Sequence, residues 1–161
     1  MSMQKIVIRP ALAQDVAELT EMIFRAKASW GYSDAFMQAC RAELTITLDI
    51  LKNCTIWIAE WQGVIGGMIG LTLQITDERA EIEYFFVDPE WQNRGIGKAL
   101  FTTLCETCQL NGVKYLDVTA DPFAEQIYAR LGFTKTGDIA SSSIPDRYLP
   151  RMELDLQKQS E

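Results

Sequence analysis

No histidine occurs anywhere in the 161 residues. That absence removes every catalytic device built on imidazole, the Ser-His-Asp arrangement included, and leaves a metal only thiolates and carboxylates. Runs of Lys and Arg are missing too: 15 basic residues stand against 22 acidic ones, a net charge of −7. A nucleic-acid binder needs a basic face, so nucleic acid is not an expected partner. There is no long apolar run. The most apolar stretch, residues 63–73, carries four glycines in its first eight positions and is far too short to span a bilayer. The start, Met1, Ser2, Met3, Gln4 and Lys5, lacks the charged segment and apolar core of a signal peptide. The expected protein is soluble and cytoplasmic, with no membrane partner.

Cysteine is scarce. Cys40 and Cys54 stand alone, while Cys105 and Cys108 form a C-x-x-C, the spacing of a redox pair or of half a metal site. The pair falls late in a predicted helix, whereas reactive thiols of low pKa sit near helix N-termini. Cys108 also continues the apolar stripe of Leu100 and Leu104 at i, i+4 spacing. Packing explains it, no second C-x-x-C follows, and no metal is expected.

What is present reads as one globular domain over residues 1–161. Hydrophobic residues make up 48% and charged residues 23%, close to the globular average, and no linker or repeat divides the chain. A short strand over residues 5–9 is stopped by Pro10. Val16, Leu19, Met22, Ile23 and Ala26 recur at helical spacing. Ser33 caps a second helix with Phe36, Met37 and Cys40 on one face. Residues 54–61 and 64–75 read as a hairpin turning at Gln62 and Gly63, and residues 80–87 as a third strand. A helix over 95–110 ends at Asn111 and Gly112, and a strand over 113–119 follows. Asp121 and Pro122 open a helix to Leu131 that Gly132 ends. Residues 133–140 and 148–156 complete the chain as strands. The order β-α-α-β-β-β-α-β-α-β-β predicts a mixed α/β fold, a sheet covered by helices.

The sharpest local feature is Gln92, Asn93, Arg94, Gly95, Ile96, Gly97 and Lys98, between a strand and a helix. Two glycines there permit a tight turn and close approach to the backbone. The first amides of the helix are unpaired and carry its positive dipole end, a geometry that binds phosphate oxygens. Arg94 and Lys98 add positive charge. Two better-known glycine loops fail. Leu100 occupies the third glycine of G-x-G-x-x-G, and a P-loop would need glycine at Gln92 and Ser or Thr at Ala99.

Gln92-x-x-Gly95-x-Gly97, after Val87, Asp88, Pro89 and Glu90, resembles the acetyl-CoA signature of the GNAT superfamily of N-acetyltransferases. A helix running Ala124, Glu125, Gln126, Ile127, Tyr128, Ala129, Arg130 into Leu131, Gly132 and Phe133 is similar to that family's second hallmark. The spacing of the two and the strand-helix order also match. The resemblance implies a twisted, mostly antiparallel sheet of about seven strands flanked by about four helices. It implies transfer of an acetyl group from acetyl-CoA to a primary amine by direct attack, through a tetrahedral intermediate. A non-catalytic acyl-CoA-binding or sensing module on the same fold is the alternative.

By the same resemblance, the pyrophosphate would lie on the amides of Asn93, Arg94, Gly95, Ile96, Gly97 and Lys98, with Gln92 at the head of the loop. The pantetheine arm would pair like an added strand with Phe85, Phe86 and Val87, and an N–H near Val87 would meet the acetyl oxygen. Tyr128 would donate to the departing thiolate. Asp121 caps its helix, and where the family often has asparagine it would contact the pantetheine. An amine with a lysine-like pKa of about 10.4 is neutral roughly once in 2,500 molecules at pH 7, so a base matters. Glu81 and Glu83, alternating with Ile82 and Tyr84 about 7 Å apart on one strand face, are the carboxylate candidates. Asp117 and a relayed water stay open beside them.

The acceptor pocket would lie between residues 26–44 and 141–149. Trp30, Gly31, Tyr32 and Phe36 fit an aromatic amine pocket or plain packing, and Arg147 and Tyr148 a gate or a surface loop. Asp34, Glu43 and the acidic total favour a cationic acceptor. The acceptor is a small-molecule amine or a protein or peptide amine. An exposed strand edge or the C-terminal hairpin leaves a homodimer open.

Overall fold

In the computed structural model, which describes residues 5–73 and 77–160, seven strands form one sheet in the order β1-β2-β3-β4-β5-β7-β6. They are β1 (Val7–Pro10), β2 (Thr55–Trp61), β3 (Val64–Leu73), β4 (Arg79–Val87), β5 (Tyr115–Thr119), β6 (Thr134–Ala140) and β7 (Tyr148–Asp155). Every pairing is antiparallel except β4 with β5. The described residues hold five α-helices: α1 (Val16–Ala28), α2 (Asp34–Leu44), α3 (Leu48–Asn53), α4 (Ile96–Leu110) and α5 (Glu125–Arg130). Among the described residues, no helix is long and apolar enough to cross a membrane.

The apolar stripes sort these helices onto the two faces of the sheet. Leu19, Met22 and Ile23 of α1, with Met37 and Cys40 of α2, pack against Ile56, Ile58 and Met68. Leu100, Leu104 and Cys108 of α4, with Tyr128 of α5, pack against Ile69, Leu71, Ile82 and Leu116. Glycine sets how near α4 can come. A Cβ on Gly67 would stand 2.7 Å from Ile96 Cγ2 and 3.2 Å from the Phe86 carbonyl oxygen. The bare backbone there seats the first turn of α4 directly on the sheet.

Several boundaries differ from the sequence reading. Pro10 does not stop β1 but ends it, paired with Trp57 on an edge strand that tolerates a missing N–H. The short helix α3 was not expected, because it buries no residue and so leaves no apolar stripe. Its one signal is Thr47, whose hydroxyl accepts from the Ile50 N–H at 3.2 Å. The helix expected from Asp121 splits into a 3-10 turn, Pro122–Ala124, and α5. The strand expected over 64–75 is described to Leu73, and its last positions lie outside the described residues.

Candidate active site

The parallel pair β4 and β5 builds the site by coming apart. Their ladder holds from Arg79 opposite Tyr115 to Ile82 opposite Val118 and stops there. β4 continues with β3 as far as Val87, while β5 continues with β7 as far as Thr119. One edge of residues 83–87 is thereby left without a strand partner, a row of backbone donors and acceptors facing a cleft. At the fork Gly70 pairs with Tyr84 and Leu71 with Ile82, so Glu83 is the extra residue of a β-bulge. The bulge shifts the alternation, and Phe85 and Val87 join Ala80 and Ile82 on the α4 side.

The loop after β4 frames the cleft from the other side. Gln92 Nε2 donates to the Val87 carbonyl oxygen at 3.0 Å, tying the loop back to the strand end. Asn93 and Gly95 have φ of 63° and 81°, and Gly95 is the left-handed cap of α4. The helix ladder begins with the Ala99 N–H donating to the Gly95 carbonyl at 3.0 Å, so the amides of Ile96, Gly97 and Lys98 are the orphan donors of its first turn. Gly97 has ordinary helical backbone, and the nearest side chains to a Cβ there would be Val87 and Phe85, at 3.7 and 3.8 Å. What its missing side chain keeps open is the cleft. Arg94 lies 5.4 Å from the ring of Trp91, a residue that lines the cleft, and does not itself line it.

Two cavities adjoin along the fork. One, of about 420 Å³, runs between Phe85, Phe86 and Val87 and the loop from Gln92 to Lys98. The other, of about 310 Å³, lies among Lys27, Glu43, Glu83, Asp121 and Arg147. Trp30, Phe85, Phe86, Ala124 and Tyr128 line both, so they are two halves of one cleft with Tyr128 at the boundary. Tyr128 is 6% exposed, its ring edge-on to Phe133 at 5.2 Å and to Phe85 at 6.1 Å. Burial pushes its phenol far above the ordinary tyrosine value, so it stays protonated and able to donate.

The carboxylates separate by partner. Glu81 is held in a two-bond clamp, its oxygens accepting from Arg151 Nη1 at 2.9 Å and Nη2 at 3.0 Å. Arg151 reaches it from β7 and also donates to Thr119 Oγ1 at 2.9 Å, bracing the fork. Asp117 is buried and paired with Arg79 at 2.9 Å. Neither lines the cleft, whereas Glu83 does. Although the Glu83 side chain is exposed, the surrounding protein displaces enough water to hold its carboxyl above the usual range. Repulsion from Glu81 adds to this, and Thr72 and Arg151 offset part of it.

Asp121 caps its 3-10 turn as expected, accepting from the Phe123 N–H at 2.9 Å. Its carboxylate also accepts from the Tyr32 hydroxyl at 2.8 Å and from Arg147 at 3.2 Å, and Lys27 stands 3.5 Å away. Tyr32 and Phe36 stack at 4.0 Å, and the cations of Lys27 and Arg147 already lie over both rings. Tyr148 is exposed and outside the cleft lining. Lys27 escaped the sequence reading. Its signal was a lysine four residues after Ile23, on the buried stripe of α1. Cys108 is buried in the core, and burial raises the Cys105 and Cys108 thiols to about 11 and about 12, as inert packing residues require. Among the described residues, no group of three or more metal-ligating side chains converges.

The parallel pair that splits beside a glycine-turned helix N-terminus leaves a cleft with an unpaired strand edge on one side and first-turn amides on the other. The chain belongs to the acetyltransferase (GNAT) domain family, whose model matches residues 20–143. It is 28% identical over 138 residues to human N-acetyltransferase 8, covering 79% of this chain and 60% of that protein. It is 29% identical over 125 residues to the zebrafish (Danio rerio) N-acetylaspartate synthetase, covering 76% and 44%. The chain thus spans only part of the length of both relatives. The fold is that of the PaiA N-acetyltransferase from Thermoplasma acidophilum solved with coenzyme A, with a TM-score of 0.77, 17% identity, and coverage of 94% of this chain and 99% of that one.

Proposed function

We propose that the protein is an acetyl-CoA-dependent N-acetyltransferase that acts on a primary amine. The observation that carries this reading is the fork. It sets an unpaired strand edge, a first turn of free amides and a buried tyrosine along one cleft. The residues present fit acetyl-CoA: phosphate oxygens suit the amides of Ile96, Gly97 and Lys98, and an amide-containing arm suits the edge of residues 83–87. When bound, acetyl-CoA supplies an acyl group activated as a thioester.

The chain's own groups then divide the work. Glu83, the carboxylate on the cleft wall, takes the proton that the ammonium must lose, directly or through a water. Its raised affinity for protons suits that role. Glu81 is engaged by Arg151 and contributes charge beside Glu83 rather than a free base. An N–H at the end of β4 would meet the negative charge that develops on the acyl oxygen. Tyr128 would give its proton to the departing sulfur and recover one from the nitrogen, which sheds its second proton on the way to a neutral amide: one C–N bond forms, one C–S bond breaks, and the products are an amide and a free thiol.

Calorimetry with acetyl-CoA, followed by thiol release with a panel of amines, tests this. Binding with amine-dependent release is expected. Binding with no release from any amine would favour a sensing module, and absence of binding would overturn the reading at its base.

A further inference from the structure

The acceptor half of the cleft contains a charge imbalance. Among the described residues, Asp121 is the single carboxylate in ion-pair contact with both Lys27 and Arg147, at 3.5 and 3.2 Å. Its oxygens are already shared with the Tyr32 hydroxyl and the Phe123 N–H. Lys27 is the sharper case. Its side chain is only 9% exposed, yet beyond the faces of the Tyr32 and Phe36 rings its one charged contact among the described residues is the ion pair with Asp121. An ammonium carries three donors, and a buried one is costly unless opposite charge and hydrogen bonds meet it closely. Arg147 spends one nitrogen, Nη2, on Tyr32 at 2.6 Å and on Asp121. Its remaining side-chain N–H groups have no hydrogen-bond partner among the described residues, though the guanidinium lies over the Tyr32 and Phe36 rings. Both cations line the cavity, so the surplus positive charge faces the space a ligand would enter.

The same cavity has negative groups elsewhere on its wall. Glu83 on β4 and Glu43 on α2 both line it. Glu43 accepts from Ser143 at 3.0 Å, while Glu83 has no ion-pair partner among the described residues. A cavity with a cationic cluster and a carboxylate outside any ion pair matches a ligand that carries both charges.

Resting on the transfer reading above, we propose that the acceptor is an amine that itself bears a carboxylate, an amino acid or close derivative. Lys27 and Arg147 hold the carboxylate, and Glu83 faces the amine. A simple polyamine would bring more positive charge against Lys27 and Arg147, and an uncharged amine would leave Lys27 as under-partnered as it is in the free protein.

The test is thiol release from acetyl-CoA with matched acceptors: free α- and β-amino acids, their carboxamides, short peptides ending in a free carboxylate, and a linear diamine. Free amino acids are expected to exceed their carboxamides by roughly 10- to 100-fold in kcat/KM, the scale of one charge-assisted hydrogen bond. Lys27→Met and Arg147→Gln should each shrink that ratio by raising KM for the acid, with acetyl-CoA affinity kept. Should Lys27→Met fail to fold, Arg147→Gln, at a half-buried position, carries the comparison. Preference for the peptides would move the source from free amino acid to chain terminus. Equal or better use of carboxamides or the diamine would overturn this inference and leave the transfer reading intact. Acetyl-CoA binding with no acceptor consumed would overturn both.

Discussion

Replacing Gly97 with alanine separates cofactor binding from folding. The backbone at Gly97 is ordinary helix, and the added Cβ would find Val87 Cγ2 at 3.7 Å and Phe85 Cζ at 3.8 Å, van der Waals contact without a clash. Alanine in a helix is favoured over glycine by about 0.5–1 kcal/mol, so the melting temperature should hold or rise by a few degrees. The methyl would nonetheless occupy the cleft beside the first-turn amides. Displacing a pyrophosphate oxygen from one of them forfeits a charge-assisted hydrogen bond, about 1.5–3 kcal/mol, so acetyl-CoA should bind roughly 10- to 100-fold more weakly. Calorimetry and thermal melting on the same samples read both quantities. Unchanged affinity would refute the placement of the pyrophosphate on these amides. Lost affinity with a lowered melting temperature would assign Gly97 a packing role instead.

Glu83→Gln should lower the rate and remove the acid limb of its pH profile. In the native protein that limb should fall as pH drops through a pKa above the usual carboxylate range, since desolvation and Glu81 favour the protonated form. A mutant keeping the native profile would exclude Glu83 as the base. The same shift bears on stability. A carboxyl whose pKa is raised on folding costs stability when ionised, so Glu83→Gln should raise the melting temperature near pH 7 and lose that advantage at about pH 3, below the unfolded value. Gly67→Val is expected to cost about 1–3 kcal/mol, because its Cβ would stand 2.7 Å from Ile96 Cγ2. A thermal melt matching the native one would show that α4 does not depend on that close approach.

Much of this architecture is legible in local sequence. The stripe of Val16, Leu19, Met22, Ile23 and Ala26, the Ser33 cap and the turn at Gly95 each act over a few residues, and the structure places them as read, while Gly97 falls inside the helix rather than in the turn. Alternation and turn signals also locate the strands. Long-range pairings are what stayed hidden. Nothing in the sequence near Glu81 announces Arg151 from β7, yet that clamp distinguishes Glu81 from Glu83. The bulge at Glu83 depends on the register between β3 and β4, which residue types do not encode. The acidic composition pointed to a cationic acceptor, whereas the fold gathers Lys27 and Arg147 from distant segments around one Asp121. Charge counts average over the surface, and a cavity does not.

Tyr128 is where the two halves of the cleft meet, and its phenol is kept protonated by burial. Tyr128→Phe removes one oxygen and preserves the ring contacts with Phe85 and Phe133. Measuring acetyl-CoA affinity and amine-dependent thiol release for this variant tests the account most directly. Native affinity with kcat reduced about 100-fold or more, the scale of a lost general acid, is the expected result. Native turnover in the phenylalanine variant would contradict it.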